Sequence, residues 1–182
     1  MKTISVPSYD EVSPKNKKIF DELKEKHGFV FNLYATFAHS ETALSNFLAM
    51  QRGESSLSPK AREVVSLVVS QVNAGGYCLA AHTIMGRVMG FNDEQLIEMR
   101  KGHASFDPQL EALTSLTRSV VLGRGRPDQQ LIDNFFKVGW TEANLVDLIM
   151  LVGETTISNY LHGVTQIRTD LPPAPEIKGQ IV

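Results

Sequence analysis

The sequence predicts an all-α fold, a single domain of about eight helices built around a central helical hairpin. Apolar residues recur at helical spacing along most of the chain, and no segment alternates with a period of two. Ser, Thr, Asn or Asp, often followed by Pro, stands at the head of these periodic segments, where a helix needs a side-chain cap. The longest uncharged stretch, Val64 to Gly86, is interrupted only by Asn73-Ala74-Gly75-Gly76, which reads as two buried helices joined by a tight turn.

Taken in order, the first dozen residues read as extended, with Pro7 and Pro14 as punctuation. Ser13 caps a helix with Pro14 at its first position, and His27-Gly28 ends it. Phe29 to Phe37 is aromatic and apolar, a short helix laid on the core. Ser40 caps a helix through Met50, and Gly53 to Ser56 is a loop. Ser58-Pro59 opens the central helix, which runs to about Val72, and its partner runs from near Tyr77 to Gly90. Asn92 caps a short helix to about Arg100, and Asp107-Pro108 starts one that ends near Gly123. Pro127 starts the next, closed by Gly139. Thr141 caps the last, Glu142 to Ile167, and the proline-rich tail 169–182 is expected to lie over a surface or a neighbouring subunit.

The totals narrow the function. The chain has 182 residues, enough to bury a core without disulfides, and 42% hydrophobic and 21% charged residues are ordinary for a soluble protein. A net charge of −2 argues against a nucleic-acid partner, which calls for a basic patch. One cysteine cannot form an internal disulfide, and the N-terminus holds no apolar run suited to a signal peptide. Both point to the cytoplasm. The stretch after Val64 is long, but Ser66, Ser70, Gln71, Asn73, Gly75, Gly76 and His82 make it too polar to span a membrane. No glycine-rich phosphate loop and no zinc-ligand pair is present.

The chemistry-bearing residues converge on the hairpin. Cys78 and His82 are four apart, so a helix sets them on one face, about 5–6 Å apart at Cβ. Cys78 falls in the first turn of its helix, where the helix dipole and a nearby imidazolium favour a thiolate, the form that attacks peroxides and disulfides. On the preceding helix Glu63, Ser66, Ser70 and Asn73 share an arc of about 80° among otherwise apolar positions, one wall of a small polar pocket. Folded back, the hairpin would let Glu63 orient His82 and raise its basicity. Each residue also has a plainer reading: Cys78 as a small buried hydrophobe, Glu63 as a partner of its helix N-terminus. His162, with Thr155, Ser158 and Asn159, forms a second polar stripe that either lines the pocket or only satisfies a buried imidazole. His27, His39 and His103 read as solvated, Met85 and Met89 as core, and Trp140 as packing.

Residues 57–90 resemble the carboxymuconolactone decarboxylase family in its alkylhydroperoxidase-D-like branch. Glu63 and the run Asn73-Ala74-Gly75-Gly76-Tyr77-Cys78-Leu79-Ala80-Ala81-His82-Thr83 carry the resemblance. The peroxidase branch has a Glu followed by Cys-x-x-Cys-x-x-x-His; the Glu, the second Cys and the His match Glu63, Cys78 and His82, and Gly75 stands where the first Cys would be. The resemblance implies an alkylhydroperoxidase-D-like all-α fold and catalytic Cys78, His82 and Glu63; Ser70, Tyr77 and His162 are the candidates for the substrate pocket. It implies homo-oligomers (dimers, trimers or hexamers) and neither metal nor organic cofactor. The activity it implies is that of a thiol-dependent, antioxidant peroxidase-like oxidoreductase reducing hydroperoxides. With no resolving thiol at Gly75, a sulfenate on Cys78 would need an external thiol reductant. Two alternatives stand beside it. One is a cofactor-free decarboxylase-like lyase that acts on a small organic acid through Glu63 and His82. The other is a non-catalytic oligomeric relative.

Overall fold

The computed structural model describes residues 4–177; the outermost residues of the expected extended start and proline-rich tail, 1–3 and 178–182, lie outside the described residues. Among the described residues the chain forms nine α-helices, one more than the roughly eight expected, and no strand, so the all-α class is as the periodicity predicts. They are α1 (Pro14–His27), α2 (Asn32–Phe37), α3 (Ala43–Arg52), α4 (Pro59–Val72), α5 (Gly76–Val88), α6 (Asp93–Arg100), α7 (Pro108–Leu122), α8 (Gln129–Lys137) and α9 (Glu142–Thr165). The N-terminal segment is not wholly extended, because Tyr9–Glu11 forms a 3₁₀ turn in which the Ser8 N–H and hydroxyl both donate to the Glu11 carboxylate.

The boundaries follow local chemistry. Ser13 and Ser58 accept from the backbone N–H groups of Asn16 and Ala61, with Pro at the first position of each helix. Gly28 ends α1 at φ 84°, the left-handed conformation that a residue without Cβ takes without strain. Two starts differ from expectation. Thr42, not Ser40, is the residue flanking α3, yet the Ser40 hydroxyl still accepts from the N–H groups of Thr42 and Ala43. Helix α8 begins two residues after Pro127, because the Asp128 carboxylate accepts from Gln130 N–H and sets the cap there.

The chain divides into two compact units. The first comprises residues 1–54 and 161–172. In it Asn16, fully buried, donates to the carbonyls of Ala38 and Ser40 and so ties α1 to the loop before α3. Asn32 likewise binds the returning chain, donating to the Asp170 carboxylate and the Arg168 carbonyl.

The second unit comprises residues 55–160 and 173–182 and carries the main core. Val64, Val65, Leu67 and Val69 of α4 pack with Leu113 and Leu116 of α7, Phe135 of α8 and Leu148 of α9. Trp140 stacks on Phe135 and donates its indole N–H to the Gln109 carbonyl, the packing role expected of it. Met85, expected in the core, is exposed, because α5 turns only one face inward. The tail reaches this unit: the Pro175 carbonyl accepts from the buried Arg100 guanidinium at 2.6 Å, and Ala174 packs on the core. Among the described residues no helix is long and apolar enough to cross a membrane.

Candidate functional site

Helices α4 and α5 fold back on each other as the hairpin predicted from the uncharged stretch. The turn between them is tight. Gly75 N–H closes onto the Ser70 carbonyl at 2.8 Å, and Ala74 takes φ 53°, a left-handed conformation that costs a side-chain-bearing residue about 1 kcal/mol.

Across the hairpin, His82 Nδ1 lies 2.7 Å from Glu63 Oε2. A carboxylate can only accept, so Nδ1 is the donor, and Nε2 is left as the nitrogen that can meet a substrate. Both side chains are partly open to solvent, His82 at 23% and Glu63 at 19%. Glu63 therefore does not serve as a partner for the start of α4: the first turn of that helix contains no acid, and the carboxylate reaches across to α5 instead.

Cys78 faces elsewhere. It is 3% exposed, and Sγ donates to Ser158 Oγ of α9 at 3.3 Å. Burial pushes the thiol above its ordinary pKa, and its contacts with Ser158 and Asn159 only partly offset this. The first turn of α5 thus does not make Cys78 a thiolate, because desolvation outweighs the favourable helix end.

The polar arc of α4 is met by a polar stripe of α9. Thr155 Oγ1 donates to Ser66 Oγ at 3.3 Å, Asn159 Nδ2 to Ser70 Oγ at 3.2 Å, and Asn73 Nδ2 to Asn159 Oδ1 at 3.1 Å and Thr156 Oγ1 at 3.2 Å. Ser158 in turn donates to the Thr155 carbonyl. Ser70 and Tyr77, expected at a pocket wall, are buried, and Ser70 is occupied by Asn159. His162 belongs to the other compact unit.

Asn159 is the residue whose position the sequence does not disclose. It is 2% exposed, and a Cβ built on Gly75 would stand 2.7 Å from its Cγ and 3.1 Å from its Cβ. The only sequence signal is its place beside Thr155 and Ser158 on one face of a helix. A second finding is an ion pair one residue before Glu63, where Arg62 meets the buried Glu154 of α9 at 3.9 Å. Among the described residues no group of three or more His, Cys, Asp or Glu is placed to hold a metal ion.

The match to known proteins follows the hairpin. Residues 39–124 match the carboxymuconolactone decarboxylase family. No curated protein matches the chain. Among solved structures, an uncharacterized peroxidase-related protein from Silicibacter sp. TM1040 is similar over 100% of this chain and 97% of its own, at 22% identity and a TM-score of 0.75. An uncharacterized peroxidase-related protein from Ralstonia eutropha JMP134, described as an alkylhydroperoxidase AhpD core, is similar over 93% and 94%, at 20% identity and a TM-score of 0.81. The debrominase Bmp8, solved in complex with 2,3,4-tribromopyrrole, is similar over 93% and 92%, at 10% identity and a TM-score of 0.75. At these identities the likeness is one of fold. Residues 39–124 thus resemble the carboxymuconolactone decarboxylase family, and the chain has an all-helical fold like that of an alkylhydroperoxidase core.

Proposed function

We propose that the protein is a small-molecule enzyme whose working unit is the Glu63–His82 pair, moving a proton to or from carbon in the isomerisation or decarboxylation of a small organic acid. The 2.7 Å contact between His82 Nδ1 and Glu63 Oε2, partly open to solvent, carries this reading. His82 Nε2 exchanges the proton with the substrate carbon, and Glu63 fixes the ring orientation and stabilises the imidazolium when it forms. Cys78 then serves as a packed thiol holding α5 against Ser158. The enzyme works as a homo-oligomer and needs no cofactor for this step.

The thiol-dependent peroxidase reading is the second. It is favoured by Cys78 standing in the first turn of α5, one turn ahead of His82, and by the peroxidase-related description of two fold neighbours. It requires a thiolate that burial opposes, and an external thiol to reduce the sulfenate.

One experiment separates them. Candidate acids with an acidic C–H are incubated in deuterated water, and exchange or carbon dioxide release is followed by NMR. Hydroperoxide consumption with a monothiol reductant is followed in parallel. Proton-transfer turnover that survives Cys78→Ser and is lost in His82→Ala supports the first reading. Hydroperoxide turnover lost in Cys78→Ser overturns it in favour of the second.

A further inference from the structure

The first compact unit holds a cavity of about 450 Å³ that the Glu63–His82 pair does not use. It lies between residues 6–9, helix α1 and the start of α2, and no residue of the unit that carries Glu63 and His82 lines it. Small-molecule sites span about 300–1,000 Å³, so the volume suits a ligand. Pro7, Phe20 and Ala35 are buried and give the cavity an apolar lining. The wall formed by residues 6–9 is tied at both ends. His39 Nε2 donates to the Ser5 carbonyl at 2.7 Å, and the Tyr9 hydroxyl donates to Asp21 Oδ2 at 3.1 Å. The cavity is therefore held in shape before any ligand arrives.

Two charged residues line it, Asp21 and Lys24. They stand three apart on α1, about 5–6 Å between Cβ atoms, the spacing at which an acid and a base ordinarily pair. Here they do not pair. The Asp21 carboxylate is turned to Tyr9 through Oδ2. Among the described residues neither Asp21 Oδ1 nor the Lys24 ammonium has a hydrogen bond or ion pair. An anionic and a cationic group thus stand side by side at an apolar cavity, both available.

We propose that the cavity binds a free α-amino acid with a large apolar side chain. Its ammonium meets Asp21 Oδ1, its carboxylate meets Lys24 Nζ, and its side chain lies against Pro7, Phe20 and Ala35. The paired charges select this class. A simple carboxylic acid that reached Lys24 would stand beside the Asp21 carboxylate, and a simple amine that reached Asp21 would stand beside the Lys24 ammonium. A ligand that bears both charges on one carbon satisfies both groups at once. The buried apolar lining favours an apolar side chain over a polar one, which would lose its water there. The inference does not rest on the proposed reaction, because the two sites share no residue.

The test uses the full chain and isothermal titration calorimetry with L-leucine and L-phenylalanine. Saturable binding is expected. Hydrocinnamate, which lacks the ammonium, and phenethylamine, which lacks the carboxylate, are each expected to bind about tenfold or more weakly than phenylalanine. Two variants should give a crossed pattern. Asp21→Asn is expected to weaken phenylalanine by about tenfold and to leave hydrocinnamate no weaker, and Lys24→Met to weaken phenylalanine likewise and to leave phenethylamine no weaker. Both side chains are exposed on α1, and circular dichroism checks that each variant keeps its helices. The analogue series on the wild-type chain tests the same point should a variant lose its fold. No saturable binding of either amino acid up to its solubility limit overturns the proposal. So does a one-charge analogue that binds as tightly as phenylalanine, or a phenylalanine affinity indifferent to either variant.

Discussion

The Asn159 side chain occupies the space that a side chain on Gly75 would need: a Cβ there would stand 2.7 Å from Asn159 Cγ. The same amide donates to Ser70, accepts from Asn73 and lies against the Cys78 thiol. Gly75 is therefore not a bare deletion of a thiol. It is one half of a packed pair, and its partner comes from a helix more than eighty residues away in the sequence.

This pair makes a double-mutant prediction. Gly75→Ala forces a methyl into Asn159 and should cost about 1–3 kcal/mol. Asn159→Gly takes away the partner of Ser70 and one of the two acceptors of Asn73, at about 1–3 kcal/mol. Together they should cost less than the sum, with a coupling of about 0.5–3 kcal/mol measured by urea unfolding. Strict additivity would show that the close approach does not exist in solution. It follows that Gly75→Cys alone should destabilise the protein and form little disulfide with Cys78, whereas Gly75→Cys with Asn159→Gly should form it.

The Glu63–His82 pair predicts a graded loss. If His82 moves the proton, His82→Ala should lower kcat by about 10²–10⁴-fold on whatever acid the protein turns over. Glu63→Gln keeps the shape but not the charge, and it should cost less, mainly in kcat. Steady-state kinetics of the two variants check this; equal KM effects with unchanged kcat would assign the pair to binding alone.

The Cys78 thiol predicts a direction with pH. Its folded-state pKa is raised by burial, so it remains protonated at neutral pH, and its alkylation rate should climb only on the alkaline side of the ordinary thiol range. The sign for stability follows: the contribution from the buried neutral thiol is fully present below the unfolded thiol pKa and is lost as pH rises through the folded one. Cys78→Ala should remove that part of the alkaline slope in thermal melts. An acidic thiol that alkylates rapidly at neutral pH would contradict the burial.

The tail predicts a buried-charge effect. Arg100 is 5% exposed, donates to Gln71 and to the Pro175 carbonyl, and has its pKa lowered by desolvation. Arg100→Ala should cost about 1–3 kcal/mol, because two acceptors lose a charged donor. It should also release the chain around Pro175, seen as faster hydrogen exchange at Glu176 and Ile177.

Much of this molecule was legible in the sequence because the relevant physics is local. Ser13, Ser58 and Asn92 cap the helices they precede, Gly28 stops α1, and the uncharged run from Val64 to Gly86 becomes a hairpin. Helical spacing placed Glu63, Ser66, Ser70 and Asn73 on one arc, and the folded hairpin brings Glu63 to His82. Spacing says which residues share a face, but not what lies across from that face. Only the tertiary structure decided that the arc is filled by Thr155, Thr156 and Asn159, that Cys78 turns to Ser158, and that Asn159 lies over Gly75. The pKa of Cys78 was undecided for the same reason: the helix end that favours a thiolate is written in the sequence, whereas the desolvation that opposes it arises only when α9 closes over α5.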